Sequence, residues 1–149
     1  MNKIRKVFLY VGVMVLSLSI TISIFADCTI TVTQFNANPV QQCNTNQGKV
    51  VINFLSPTLI TYAQIYVTNV QDACDIIQTN INGQNSKALG KGEGISYTLT
   101  SSDYENGSFS FSVSCIGVTP NERGFGQHCW LANCGSANYI VQVSTNYKL

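Results

Sequence analysis

Charge is what this 149-residue chain has least of: eight Lys and Arg stand against seven Asp and Glu. A chain so close to neutral lacks the basic face with which nucleic-acid binders displace counterions. It holds one His, one Trp, two Met and three Pro. A lone histidine, with no cysteine pair at finger-like spacing, excludes a zinc-finger ligand set. Helical periodicity is missing as well, which excludes a coiled coil or a charged helical solenoid. Only one stretch is continuously apolar, so a multi-span membrane protein is excluded too.

That stretch opens the chain. Lys3, Arg5 and Lys6 precede residues 7–25, which carry no charge, and Ala26 stands before Asp27. A basic start, an apolar middle and a small residue at the end predict a secretory signal peptide over residues 1–26. The alternative is an uncleaved anchor, since a run of this length just crosses a hydrocarbon core of ~30 Å. Ser17, Ser19, Thr21 and Ser23 dilute the run and favour cleavage. Asp27 before Cys28 is the wrong residue for lipoprotein processing. Either way, residues 27–149 are expected outside the cytoplasm, as a secreted, periplasmic or cell-surface domain. They keep five basic and seven acidic residues, and Asn, Gln, Thr and Ser make up 47 of them.

Six cysteines (Cys28, Cys43, Cys74, Cys115, Cys129 and Cys134) all lie beyond the leader. In an exported chain an even number predicts three disulfides. Spacing suggests Cys28–Cys43, Cys74–Cys115 and Cys129–Cys134, among 15 possible connectivities.

Alternation with a period of two runs through the mature chain. Cys28, Ile30 and Val32 share one face, as do Val50, Ile52 and Phe54, and Ala63, Ile65 and Val67. Ile95, Tyr97 and Leu99 repeat the pattern, then Phe109, Phe111, Val113 and Cys115, and near the end Tyr139, Val141, Val143 and Thr145. Ile76 and Ile77 make a short strand the better reading of residues 72–80. Asn38-Pro39, Ser56-Pro57, Asn82-Gly83, Asn106-Gly107 and Pro120-Asn121 supply turns. Each strand should bury one face and wet the other, as in antiparallel sheets. The expectation is one all-β antiparallel sandwich of seven or eight strands, stapled by disulfides. Residues 95–115 are similar to immunoglobulin-like and fibronectin-like modules, with Leu99 to Tyr104 as the corner before a long strand. The similarity is architectural. It implies a hydrogen bond from Tyr104 back across the corner, and Trp130 stands too late in the chain for an antibody-type core.

The segment 116–136 is long for a loop in a compact domain, and loops of this kind often carry function. It holds Arg123, the only histidine (His128) and the only tryptophan (Trp130), with Cys129 and Cys134 enclosing a small ring. A ring that fixes an aromatic side chain lowers the entropy cost of binding, so Arg123, His128 and Trp130 are the candidate binding residues. The plainer reading has Trp130 capping an open end of the sandwich. His128-Cys129 is a poor base–nucleophile pair, because neighbours on extended backbone point apart. The carboxylates, Asp72 and Asp75 among them, are scattered through turns and strand ends. No acid–base pair, nucleophile elbow, metal site or cofactor site emerges. Gly90-Lys91-Gly92-Glu93-Gly94 precedes a strand, whereas a phosphate loop needs a helix start there. Asn106-Gly107-Ser108 matches a glycosylation acceptor and equally a tight turn.

These features point to an exported, non-catalytic binding or adhesion module with a protein or glycan partner. A second reading is a subunit of a surface fibre or coat joined by strand addition. Low charge and the terminal strand ending in Tyr147 resemble chaperone–usher pilins, but no extended donor segment separates the leader from Cys28. A secreted hydrolase is the third reading, without a convergent catalytic group to support it.

Overall fold

The computed structural model describes residues 28–45, 48–70, 75–117 and 137–149. Nine strands lie among them: β1 (Cys28–Val32), β2 (Val40–Thr45), β3 (Gly48–Phe54), β4 (Ile60–Asn69), β5 (Asp75–Ile81), β6 (Gln84–Asn85), β7 (Gly94–Leu99), β8 (Ser108–Gly117) and β9 (Ala137–Tyr147). They form a five-stranded sheet in the order β1-β3-β8-β5-β6 and a four-stranded sheet in the order β2-β9-β4-β7. The all-β sandwich read from the alternation is the observed fold. Each apolar set turns inward as expected, and Val32, Val50, Ile52, Val113, Val141 and Val143 are fully enclosed between the sheets. Burying each such side chain is worth about 1.5–3 kcal/mol, which makes the two inner faces the main stabilising feature.

The order β1-β3-β8-β5 and the row β4-β9-β2 follow the immunoglobulin plan of two sheets. Two departures correct the expectation. In that plan the strand beside β9 would follow it in sequence; here β2 comes from the start of the chain. Its register, Gln41 opposite Val141 and Cys43 opposite Tyr139, is antiparallel. The insertion of β2 between β1 and β3 reverses the chain twice, so β1 and β3 run parallel. The domain is therefore not purely antiparallel, and it has nine described strands where seven or eight were expected.

Local chemistry fixes the connections. At Asn82-Gly83 both residues adopt left-handed backbone (φ 52° and 79°), the conformation a two-residue hairpin needs between β5 and β6. A single helical turn, Ser101–Tyr104, joins β7 to β8 and begins with a capping box between Thr100 and Asp103. Tyr104 sits at the expected corner, but its anchor is the ring, packed on Phe54 with centroids 5.9 Å apart. Among the described residues its hydroxyl makes no hydrogen bond across the corner.

Candidate functional site

The residues expected to bind, Arg123, His128 and Trp130, lie outside the described residues, as do Cys74, Cys129 and Cys134. What the structure shows is the platform on either side. β8 ends at Gly117, opposite Asp75 on β5, and β9 begins at Ala137, opposite Thr45 on β2. β8 and β9 belong to different sheets. The two feet of the segment are thus held by ladders at the same end of the sandwich, one on each sheet. Val70 also stands at this end, its N–H donated to the Asn138 carbonyl at 3.2 Å.

The same end is organised by one buried polar residue. Asn69 has no exposed surface, and its Nδ2 donates to the Leu89 carbonyl at 2.8 Å. Its main chain accepts from Gly92 N–H at 2.8 Å and donates to the Glu93 carbonyl at 3.0 Å. A buried amide with these partners ties the passage from β6 to β7 onto β4. The glycine-rich residues 90–94 belong to this passage, and the Gly90 N–H donates to the Glu93 carboxylate at 2.9 Å. That amide already serves an internal carboxylate, so the segment is a turn.

Cys28 and Cys43 form a disulfide with Cα atoms 5.8 Å apart, as expected from their spacing. It joins β1 at the rim of one sheet to β2 at the rim of the other. Cys115 is also disulfide-bonded. Beside the Cys28–Cys43 bridge lies an open cleft of about 470 Å³, lined by Thr29, Thr31, Asn36, Asn38 and Gln41 among others. These five bring uncharged polar groups to the cleft, and Ile30, Pro39 and Val40 complete its lining. Asn38 is partly engaged, its Oδ1 accepting from Thr145 N–H at 3.3 Å. Nothing in the sequence pattern marks this cleft, because it exists only once β2 crosses to the second sheet.

Among the described residues no group of three or more His, Cys, Asp or Glu side chains converges. Asp103 accepts from the Thr100 N–H at 2.7 Å and is a capping residue. Asn106, of the possible glycosylation acceptor, is exposed in the turn before β8. Burial pushes the Tyr147 phenol above its ordinary value of 10, and a hydrogen bond with Thr145 partly offsets this. No helix among the described residues is long and apolar enough to cross a membrane.

No protein-family model and no curated protein sequence matches the chain. Among solved structures, the chain is similar to a periplasmic lysozyme inhibitor of g-type lysozyme, PliG of Aeromonas hydrophila. The two share 12% identity at a TM-score of 0.35, over 81% of this chain and 100% of the inhibitor. A likeness of that size carries no role from one protein to the other.

Proposed function

We propose that this protein is an exported, non-catalytic binding module that recognises a protein or glycan partner through the 116–136 segment. Arg123, His128 and Trp130 are its contact residues. The observation that carries the reading is the placement of the segment's feet, Gly117 and Ala137, on paired strands of opposite sheets at one end. A long segment mounted across the end of a rigid sandwich is how this architecture presents recognition loops. Oxidised Cys28, Cys43 and Cys115 support residence in an oxidising compartment, in keeping with removal of a leader at residue 26.

One observation favours this reading over a fibre built by strand addition at the terminal strand. The flank of β9 that a donor strand would fill is occupied by β2 of the same chain, stapled in place through Cys43.

The test uses the oxidised mature protein on arrays of extracellular proteins and of oligosaccharides. Trp130→Ala is expected to weaken capture at least about tenfold, as truncation of an aromatic anchor does. Arg123→Ala and His128→Ala should weaken it less. Undiminished capture by Trp130→Ala would refute the assignment. So would turnover of ester, glycoside or peptide substrates that His128→Ala abolishes.

A further inference from the structure

A sandwich has open rims, and proteins usually protect them. The two sheets have four edges, at β1, β2, β6 and β7. β1 and β2 are joined by the Cys28–Cys43 bridge. β5 is covered by β6 and the residues after it: Ser86 donates its N–H to Thr79, and Leu89 exchanges main-chain bonds with Ile77. The fourth edge is β7. Its six residues, Gly-Ile-Ser-Tyr-Thr-Leu, contain no charge and no proline, and its ladder with β4 runs without a bulge from Leu99 to Gly94.

The direction of its free main-chain groups follows from the ladder. Val143 and Thr145 donate to Pro39 and Ala37, on the β2 side of β9. In an antiparallel ladder both polar groups of a residue point to one side. Gln142 and Ser144 therefore bond Tyr66 and Gln64 of β4, which leaves Ala63, Ile65 and Val67 to bond Leu99, Tyr97 and Ile95. The bond from Asn69 N–H to Glu93 continues the same alternation. Gly94, Ser96 and Thr98 are left with N–H and C=O groups facing outward.

We propose that β7 pairs with β7 of a second copy of this chain, antiparallel, about a two-fold axis through Ser96. This goes beyond the recognition reading and does not rest on it. In that register Gly94 faces the partner's Thr98 and Ser96 faces the partner's Ser96, so every outward donor meets an outward acceptor. About six main-chain hydrogen bonds form. Ile95 then lies opposite the partner's Tyr97 on the inner face, an aliphatic–aromatic pair of the favourable kind. That pair covers a mainly apolar cleft of about 150 Å³ between β7 and the β5–β6 hairpin, bordered by Ile81, Ser86, Ile95 and Tyr97. Tyr97 is already fixed there, its hydroxyl accepting from Asn82 Nδ2 at 2.9 Å and its ring stacked on Phe109. The absence of charge on β7 means that two identical strands meet without repulsion. Self-complementarity in this register is what selects a second copy as the occupant. The result is a closed pair, because an isologous contact uses the same edge on both partners.

The experiment is sedimentation velocity on the oxidised mature protein from about 10 μM to about 1 mM, with amide exchange followed at both ends of the range. A dimer should accumulate with concentration, and exchange should slow at Gly94, Ser96 and Thr98 while Ile95 and Tyr97, already bonded to β4, stay unchanged. Ser96 is exposed, so Ser96→Lys and Ser96→Glu leave the monomer folded. Each places like charges face to face and should loosen the dimer about fivefold, and mixing the two variants should restore it. A monomer at every concentration overturns the proposal, as does a dimer indifferent to both charges or protection confined to another edge.

Discussion

Replacing Cys28 and Cys43 together by alanine removes the staple between the two sheets while sparing the other cysteines. The bridge spans 15 residues of chain. A cross-link of that length restricts the unfolded chain by about 3 kcal/mol on the loop-entropy model. Both cysteines are buried in the core cluster, so the methyl groups that replace them leave only a small void. For a domain of this size 3 kcal/mol corresponds to a fall in Tm of about 10 °C. The loss should not be uniform. β2 has one hydrogen-bonded neighbour, β9, so amide exchange should accelerate along Gln41, Cys43→Ala and Thr45 before it does in β3 or β8. Urea unfolding with residue-resolved exchange measures both quantities. A stability within about 0.5 kcal/mol of the parent, or exchange that quickens equally in every strand, would refute the view that the bridge holds β2 beside β9.

Further outcomes are expected. Asp103→Ala removes half of the capping box at the corner and should cost about 1 kcal/mol in urea unfolding, with Asp103→Asn losing less. Tyr147 should titrate above pH 10 in an ultraviolet titration, and Tyr147→Phe should delete that component. Because the folded state prefers the neutral phenol, its contribution is intact below pH 10 and is lost as pH rises through the raised value. Non-reducing peptide mapping should find Cys74 joined to Cys115, Cys129 joined to Cys134, and Asp27 at the mature N-terminus.

Much of this architecture was legible because a half-buried strand writes its faces into every second residue. Phe109, Phe111, Val113 and Cys115 could be oriented from the serines between them, and the structure buries all four. β2 was not legible for a physical reason. From Val40 to Asn44 only Cys43 turns into the core, while Val40, Gln41, Gln42 and Asn44 are exposed at the rim. No alternation results, and the strand is specified by the vacant side of β9. The parallel β1–β3 pair is hidden for the same cause, since it follows from where β2 goes. Asn69 misleads in the other direction: its amide reads as surface, yet it is enclosed because Leu89 and the turn at residues 92–93 supply its partners. The 116–136 segment stood out by composition and length, and its residues between Gly117 and Ala137 lie outside those described. The polar cleft and the bare β7 edge left no sequence signal, because both depend on which strands become neighbours.

The position of β9 sets a schedule for self-assembly. It is the latest of the described strands, and it lies in the middle of its sheet with β2 on one side and β4 on the other. β4 can pair with β7 before β9 arrives, but β2 has no other hydrogen-bonded neighbour and has no place until then. Pairings between such distant parts of a chain are slow to form, and here they wait on the C-terminal residues. The five-stranded sheet can form without β9, whereas the second layer of the sandwich is complete only once β9 has slotted between β2 and β4.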